Sequence, residues 1–231
     1  MANDDSLIEV LRRHRGAFAP VIPFDLAAGE PVVFDFTSAN RDLERVGSHD
    51  TVSFAAYLFE QISAGALRVG VGRWDEDRVT YRHSPLFDDA VEQRSVHLGI
   101  DLFVTPGTEV HTPLDATLHS CADNDRLGDY GPTIILEHTL DGVRFHTLYG
   151  HLGRPSLAGL GPGLSFAAGD LIGWVGEQHE NGGWPPHLHF QVIADLQGRR
   201  GDFPGVAAPS QRARYLALCP DPNLILGIRG L

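Results

Sequence analysis

A mainly β fold, an antiparallel sheet or sandwich-like domain with a mixed α/β N-terminal extension, is what three observations predict. From about residue 95 to 195, short runs of alternating apolar and polar residues follow one another with no helical pattern between them. Twenty-six Gly and fifteen Pro, spread without a period, punctuate the chain with turns. Before residue 82 the pattern differs, because helical spacing occurs there twice.

In chain order, Ser6 to Arg15 is expected to form a short amphipathic helix, with Leu7, Ile8 and Leu11 on one side and Gly16 at the stop position. Residues 17 to 36 mix Pro and Gly breakers with β-type runs such as Pro31 to Phe36. A second helix is expected from Asp50 or Thr51 to Ala64, with Phe54, Leu58 and Ile62 on one face and Gly65 ending it. The period then changes to two: Leu67, Val69 and Val71 alternate, Arg78 to Arg82 alternates again, and Asp75-Glu76-Asp77 would join the two as a hairpin. Strands are next expected over Val96 to Val104, Glu109 to His111, Ala116 to Ser120, Thr133 to His138, Val143 to Tyr149, Leu164 to Phe166, Leu171 to Val175 and His187 to Ala194. Asp141-Gly142, Gly161-Pro162-Gly163 and Ala168-Gly169-Asp170 supply turns between them. The tail from Gly201, with four prolines and one short helix near 211 to 218, reads as a surface appendage. The domains expected are thus an extension over 1–82 that packs on or shields the core, a β domain over 83–200, and a tail over 201–231.

A formal net charge of −12 argues against a nucleic-acid backbone or an anionic membrane surface as partner. No stretch is long enough to span a bilayer, and no apolar leader follows the acidic start, so a cytoplasmic location is expected as the chain stands. Two cysteines, Cys121 and Cys219, make no disulfide framework. Twelve histidines are more than solubility needs, and imidazole serves both as a zinc ligand and as a base near neutral pH.

The histidines that count are those with strand spacing. His187 and His189 project from one face of a strand, about 7 Å apart at their Cα atoms, and can converge on one metal ion or divide a site between ligand and base. Alone, the pair reads more readily as two polar residues on the wet face of an edge strand. His97 and Asp101 lie on one face but about 13 Å apart in a straight strand, too far for one ion unless Gly99 bends the chain. His151 follows Gly150 at the end of a strand on which Phe145, Thr147 and Tyr149 share its parity. His146 has the opposite parity, and His111, His119 and His138 read as sheet-surface or satisfied core residues.

Taken together, His97-Leu98-Gly99-Ile100-Asp101, Pro106-Gly107-Thr108-Glu109-Val110, Leu148-Tyr149-Gly150-His151-Leu152, Gly169 to Gly176 and Pro186-His187-Leu188-His189-Phe190 resemble, in order, the lysostaphin/LytM-type zinc metallopeptidases. The resemblance implies an antiparallel β-sheet groove with one zinc ion at its floor and hydrolysis of peptide bonds in bacterial cell-wall cross-bridges. It implies His97, Asp101 and His189 as zinc ligands and His151 and His187 as catalytic histidines, with His187 as general base and His151 steadying the oxyanion. Substrate contacts are expected from Tyr149, Trp184 and His179. Three features depart from the family: the missing secretion signal, the lack of a tyrosine a few residues before His97, for which the nearest is Tyr81, and an atypical loop from Glu177 to Pro185. The expectation is a zinc endopeptidase acting on a peptide or peptidoglycan fragment. The rivals are a cytoplasmic zinc amidohydrolase on a small substrate and a non-catalytic binding module.

Overall fold

The computed structural model describes residues 6–46, 50–83, 85–87, 92–161 and 163–231. The mainly β, antiparallel architecture is borne out. The elements are α1 (Leu7–Arg13), β1 (Val32–Val33), α2 (Asp42–Val46), α3 (Thr51–Ala64), β2 (Gly70–Gly72), β3 (Val96–His97), β4 (Ile100–Phe103), β5 (Glu109–His111), β6 (Ala116–Asn124), β7 (Gly131–Leu140), β8 (Val143–Gly150), β9 (Ser165–Phe166), β10 (Leu171–Trp174), β11 (His187–Ile193), β12 (Val206–Ala207), α4 (Arg212–Leu218) and α5 (Asn223–Leu226). Eight strands form one sheet in the order β1-β2-β4-β11-β8-β7-β6-β9, antiparallel except for the β1–β2 pair. Two ribbons, β5–β10 and β3–β12, complete the strand structure.

The two helices expected in the first 65 residues, α1 and α3, start where their caps dictate. Ser6 and Glu9 exchange hydrogen bonds in a capping box, and Asp50 accepts from the Val52 and Ser53 amides. The Phe54–Leu58–Ile62 stripe of α3 is buried, packing with Phe34, Phe36 and Phe103.

Three expectations fail. The hairpin through Asp75 does not form: only Gly70–Gly72 is strand, and Val79–His83 is a 3₁₀ turn. Asp75 takes a left-handed φ of 55°, and the 3₁₀ turn after it brings Arg78 and Tyr81, three residues apart, inward together. The expected strand over Val96 to Val104 breaks into β3 and β4 at Leu98-Gly99. Nor is the segment after residue 201 an appendage. β12 pairs with β3, setting Val206 beside His97, and Phe203, Ala207, Cys219, Ile225, Leu226 and Ile228 are core residues. The sheet likewise runs across residue 82, because β2 pairs directly with β4. No helix among the described residues is long and apolar enough to cross a membrane.

Candidate active site

One transverse row of the sheet builds the site: Gly72 of β2, Asp101 of β4, His189 of β11 and Gly150 of β8 stand side by side. Since β11 lies between β4 and β8, His187 and His189 belong to a central strand and not to an exposed edge. The flanking glycines leave room for two large neighbours. A Cβ on Gly72 would come within 2.6 Å of the Arg78 guanidinium, and one on Gly150 within 2.6 Å of the Tyr130 ring. Gly99 supplies the bend that His97 and Asp101 need, and a side chain there would strike the His189 ring. The distance that a straight strand would keep open closes to 3.2 Å between His97 Nε2 and Asp101 Oδ1.

His151 reaches the same place by a different device. The strand ends at Gly150, and His151 adopts a φ of 63°, which takes it out of strand alternation. Tyr149 keeps the alternation and points the other way. It is fully buried against Phe190, with Thr147 Oγ1 donating to its hydroxyl, so it is a core residue and not a substrate contact. His179 is exposed beside Glu177 and does not line the cavity. Trp184 does line it, 6.4 Å from the His151 ring.

The protons of the four imidazoles are placed by their outer partners. His97 Nδ1 faces the Arg73 carbonyl at 2.8 Å, which can only accept, so Nδ1 donates. Burial pushes the His97 pKa down to about 4, and a neutral ring then carries no proton on Nε2. His189 Nε2 donates to Gln191 Oε1 at 2.9 Å; that amide is oriented by its own NH2, which donates to the Pro204 carbonyl and to Cys219 Sγ. A neutral His189 therefore presents a bare Nδ1. His151 Nδ1 donates to the Asn181 carbonyl at 2.8 Å and His187 Nδ1 to the Pro185 carbonyl at 2.7 Å. Burial depresses both of these groups as well, His151 well below the ordinary range.

The outer bonds thus turn the inner nitrogens of His97 and His189 toward one carboxylate oxygen. His97 Nε2, His189 Nδ1 and Asp101 Oδ1 face one another at 3.0, 3.0 and 3.2 Å. Donors about 2.0–2.1 Å from a tetrahedral zinc ion stand roughly 3.3 Å apart, so this triangle matches one face of such a site. These three are the one group among the described residues that brings metal-binding atoms of His, Cys, Asp or Glu so close together. His187 Nε2 stands 3.7 Å from Asp101 Oδ1, and its ring centroid is 4.2 Å from that of His151.

Several residues here carried no sequence signal. Arg78, 3% exposed, donates through Nη1 to Asp101 Oδ2 at 2.5 Å and to the Tyr81 hydroxyl at 2.9 Å, and through Nε to Glu76 at 3.0 Å. It occupies one Asp101 oxygen and leaves the other for the site. Burial acts to raise the Asp101 pKa, but His97, Arg78 and His187 hold it well below the usual carboxylate range. The extension thus supplies part of the site, not merely a shield. Tyr130 covers His189 and His151, with ring centroids 5.2 and 5.6 Å away, while its buried hydroxyl has no partner among the described residues. Gln191 had a readable signal, since it shares strand parity with His187 and His189. His138 is a satisfied core histidine, bonded to Thr147 and to the Asp115 carbonyl.

Comparison with known proteins bears on the same stretch. The model of peptidase family M23 matches residues 95–201, which include all five motif side chains. Among solved structures, the chain is similar to the catalytic domain of lysostaphin, an antimicrobial peptidase from Staphylococcus simulans, at 26% identity over 52% of this chain and 80% of that one, with a TM-score of 0.37. It is also similar to a zinc containing peptidase from Vibrio cholerae, at 25% identity over 47% of this chain and 31% of that one, TM-score 0.36. Helicobacter pylori Csd3 gives 24% identity over 53% and 32%, TM-score 0.33. The chain therefore spans less than a third of the length of the last two proteins. No curated protein matches it.

Proposed function

Because residues 95–201 belong to peptidase family M23, the lysostaphin/LytM type, we propose that the protein is a zinc-dependent peptidase hydrolysing an amide bond in a peptide of peptidoglycan type. The observation that carries this reading is the convergence of His97 Nε2, Asp101 Oδ1 and His189 Nδ1 at 3.0–3.2 Å, with the outer nitrogen of each imidazole engaged by an acceptor so that the inner one is turned to the site. In the proposal His97 Nε2, Asp101 Oδ1 and His189 Nδ1 hold the ion. Zinc bound there supplies a Lewis acid that polarises a carbonyl and brings the pKa of water to about 7.

The chain's own groups do the rest. His187 Nε2 and His151 Nε2 are both bare, so in the resting state both are proton acceptors. His187 stands beside Asp101 and is the general base, taking the proton of the attacking water and later returning it to the leaving amine. His151, whose ring proton is committed to the Asn181 carbonyl, has none on Nε2 to give an oxyanion and instead accepts there a hydrogen bond from the attacking water, orienting it. Arg78 holds Asp101 ionised and fixes which of its oxygens is offered. Trp184, Tyr81 and Phe87 form an apolar wall that limits water around the bond being cut.

The test is metal content by mass spectrometry beside peptide hydrolysis, for wild type, His189→Ala and His187→Ala. About one zinc per chain is expected in wild type and in His187→Ala, with activity lost from the latter and both metal and activity lost from His189→Ala. Zinc absent from wild type and not taken up on addition would make the fold a binding module. Zinc lost from His187→Ala would overturn the division between ligand and base.

A further inference from the structure

The site lies at the bottom of a cavity of about 460 Å³, within the range of roughly 300–1,000 Å³ that encloses small ligands. None of His97, Asp101, His151, His187 and His189 is more than 6% exposed. What encloses them is an arch of aromatic rings. Tyr81 stands 6.4 Å from the His97 ring on one side, Trp184 stands 6.4 Å from the His151 ring on the other, and the two meet edge to face at 5.9 Å. Phe87 closes the angle between them, 4.8 Å from Tyr81 and 6.3 Å from Trp184. These are contact distances for aromatic pairs, and no peptide backbone passes between rings so placed.

Part of the cavity lining lies outside the stretch that matches the peptidase family model. Tyr81 and Phe87 come before it, Trp184 falls within it, and Val206, which packs with Tyr81 and Phe87, comes after it together with Gln211 and Tyr215. An extended polymer advances about 3.3 Å per residue and must leave an active site in both directions. Here the way across the site is bridged.

Resting on the peptidase reading above, we infer that the cavity selects short soluble peptides, such as released wall fragments, and excludes the intact polymer. The substrate enters by an end and is held beneath Trp184, Tyr81 and Phe87.

The experiment gives zinc-loaded full chain the same bonds in two forms: purified bacterial cell wall, and the soluble fragments released from that preparation by glycan digestion. Free amines liberated per bond are followed with both, for wild type, Phe87→Ala and Trp184→Ala, with thermal melting to confirm folding. Wild type is expected to cut fragments at least tenfold faster than wall, and the folded arch variants to narrow that ratio by gaining on wall. In parallel, zinc-loaded His187→Ala is expected to bind fragments by calorimetry yet stay in the supernatant when wall is pelleted. Wall cut as fast as fragments by wild type, or co-sedimentation of His187→Ala with wall, overturns the inference and leaves the peptidase reading intact. Variants that cut both forms where wild type cuts neither also overturn it, in favour of a latent site. Zinc-loaded protein that cuts nothing in any version, and binds no fragment, removes the peptidase reading and the inference with it.

Discussion

Replacing Arg78 by Met removes the cation between two buried carboxylates, Asp101 and Glu76, at nearly constant volume. At an effective dielectric of about 20, each charge pair near 4 Å is worth roughly 4 kcal/mol before desolvation is counted. The net cost of deleting one partner of a buried ion pair is about 3–5 kcal/mol, since the other is left without a counter-charge. Glu76 keeps Arg73, at 2.7 Å, and the Phe36 amide, so most of the loss falls on Asp101. With an urea m-value near 3 kcal/mol/M, the midpoint of the metal-free protein at pH 7 drops by about 1–2 M. Arg73→Met is the control, because Arg73 shares Glu76 but is 38% exposed, and surface pairs contribute about 1 kcal/mol or less. Equal midpoint shifts for the two variants, or a shift below about 0.3 M for Arg78→Met, would refute the assignment of Arg78 as the buried counter-ion of the site.

Gln191→Met leaves His189 Nε2 without its acceptor, and zinc affinity measured against a competing chelator should fall about 10–100-fold; an unchanged affinity would mean the tautomer is held by something else. Tyr130→Phe deletes a buried hydroxyl with no partner among the described residues, so thermal stability should hold or rise by about 1 kcal/mol, and a loss of that size would show a bond missed. Burial pushes His138 down to about 4, below its ordinary value, so the unfolded chain binds the extra proton first as pH falls. Its contribution, up to about 3 kcal/mol, is complete above pH 6.5 and lost between 6.5 and 4. Proton NMR should find His138 titrating near 4, and a titration near 6.5 would remove the argument.

What could be read from sequence was what is local. Asp50 capping α3 and the stripe Phe54–Leu58–Ile62 are decided within one stretch of chain, and the structure follows them to the residue. The His187–His189 pair needed only strand parity. Parity misled for Tyr149 and His151, because a single left-handed residue reverses which side chain meets the site, and nothing in Gly150-His151 announces it. Arg78 read only as the start of an alternating run, since its partner Asp101 lies 23 residues on and its burial depends on Gly72 being bare. The prolines after residue 201 suggested an appendage, whereas Pro204 contributes a backbone carbonyl to Gln191 and Val206 pairs with His97. Proline disfavours regular ladders but says nothing about whether the segment is buried.

The pairing of β12 with β3 ties the order of events in synthesis to the chemistry. His97 is seated from one side by the Arg73 carbonyl and from the other by a strand that is made more than a hundred residues later. Gln191, which orients His189, is itself held by Pro204 and Cys219. Contacts so far apart in sequence form late, after the loop between them has closed. A nascent chain that already contains all five motif residues therefore has no finished binding triangle until the stretch around 204–219 has emerged and docked. The proposed site is thus completed by residues made after all five of its motif side chains.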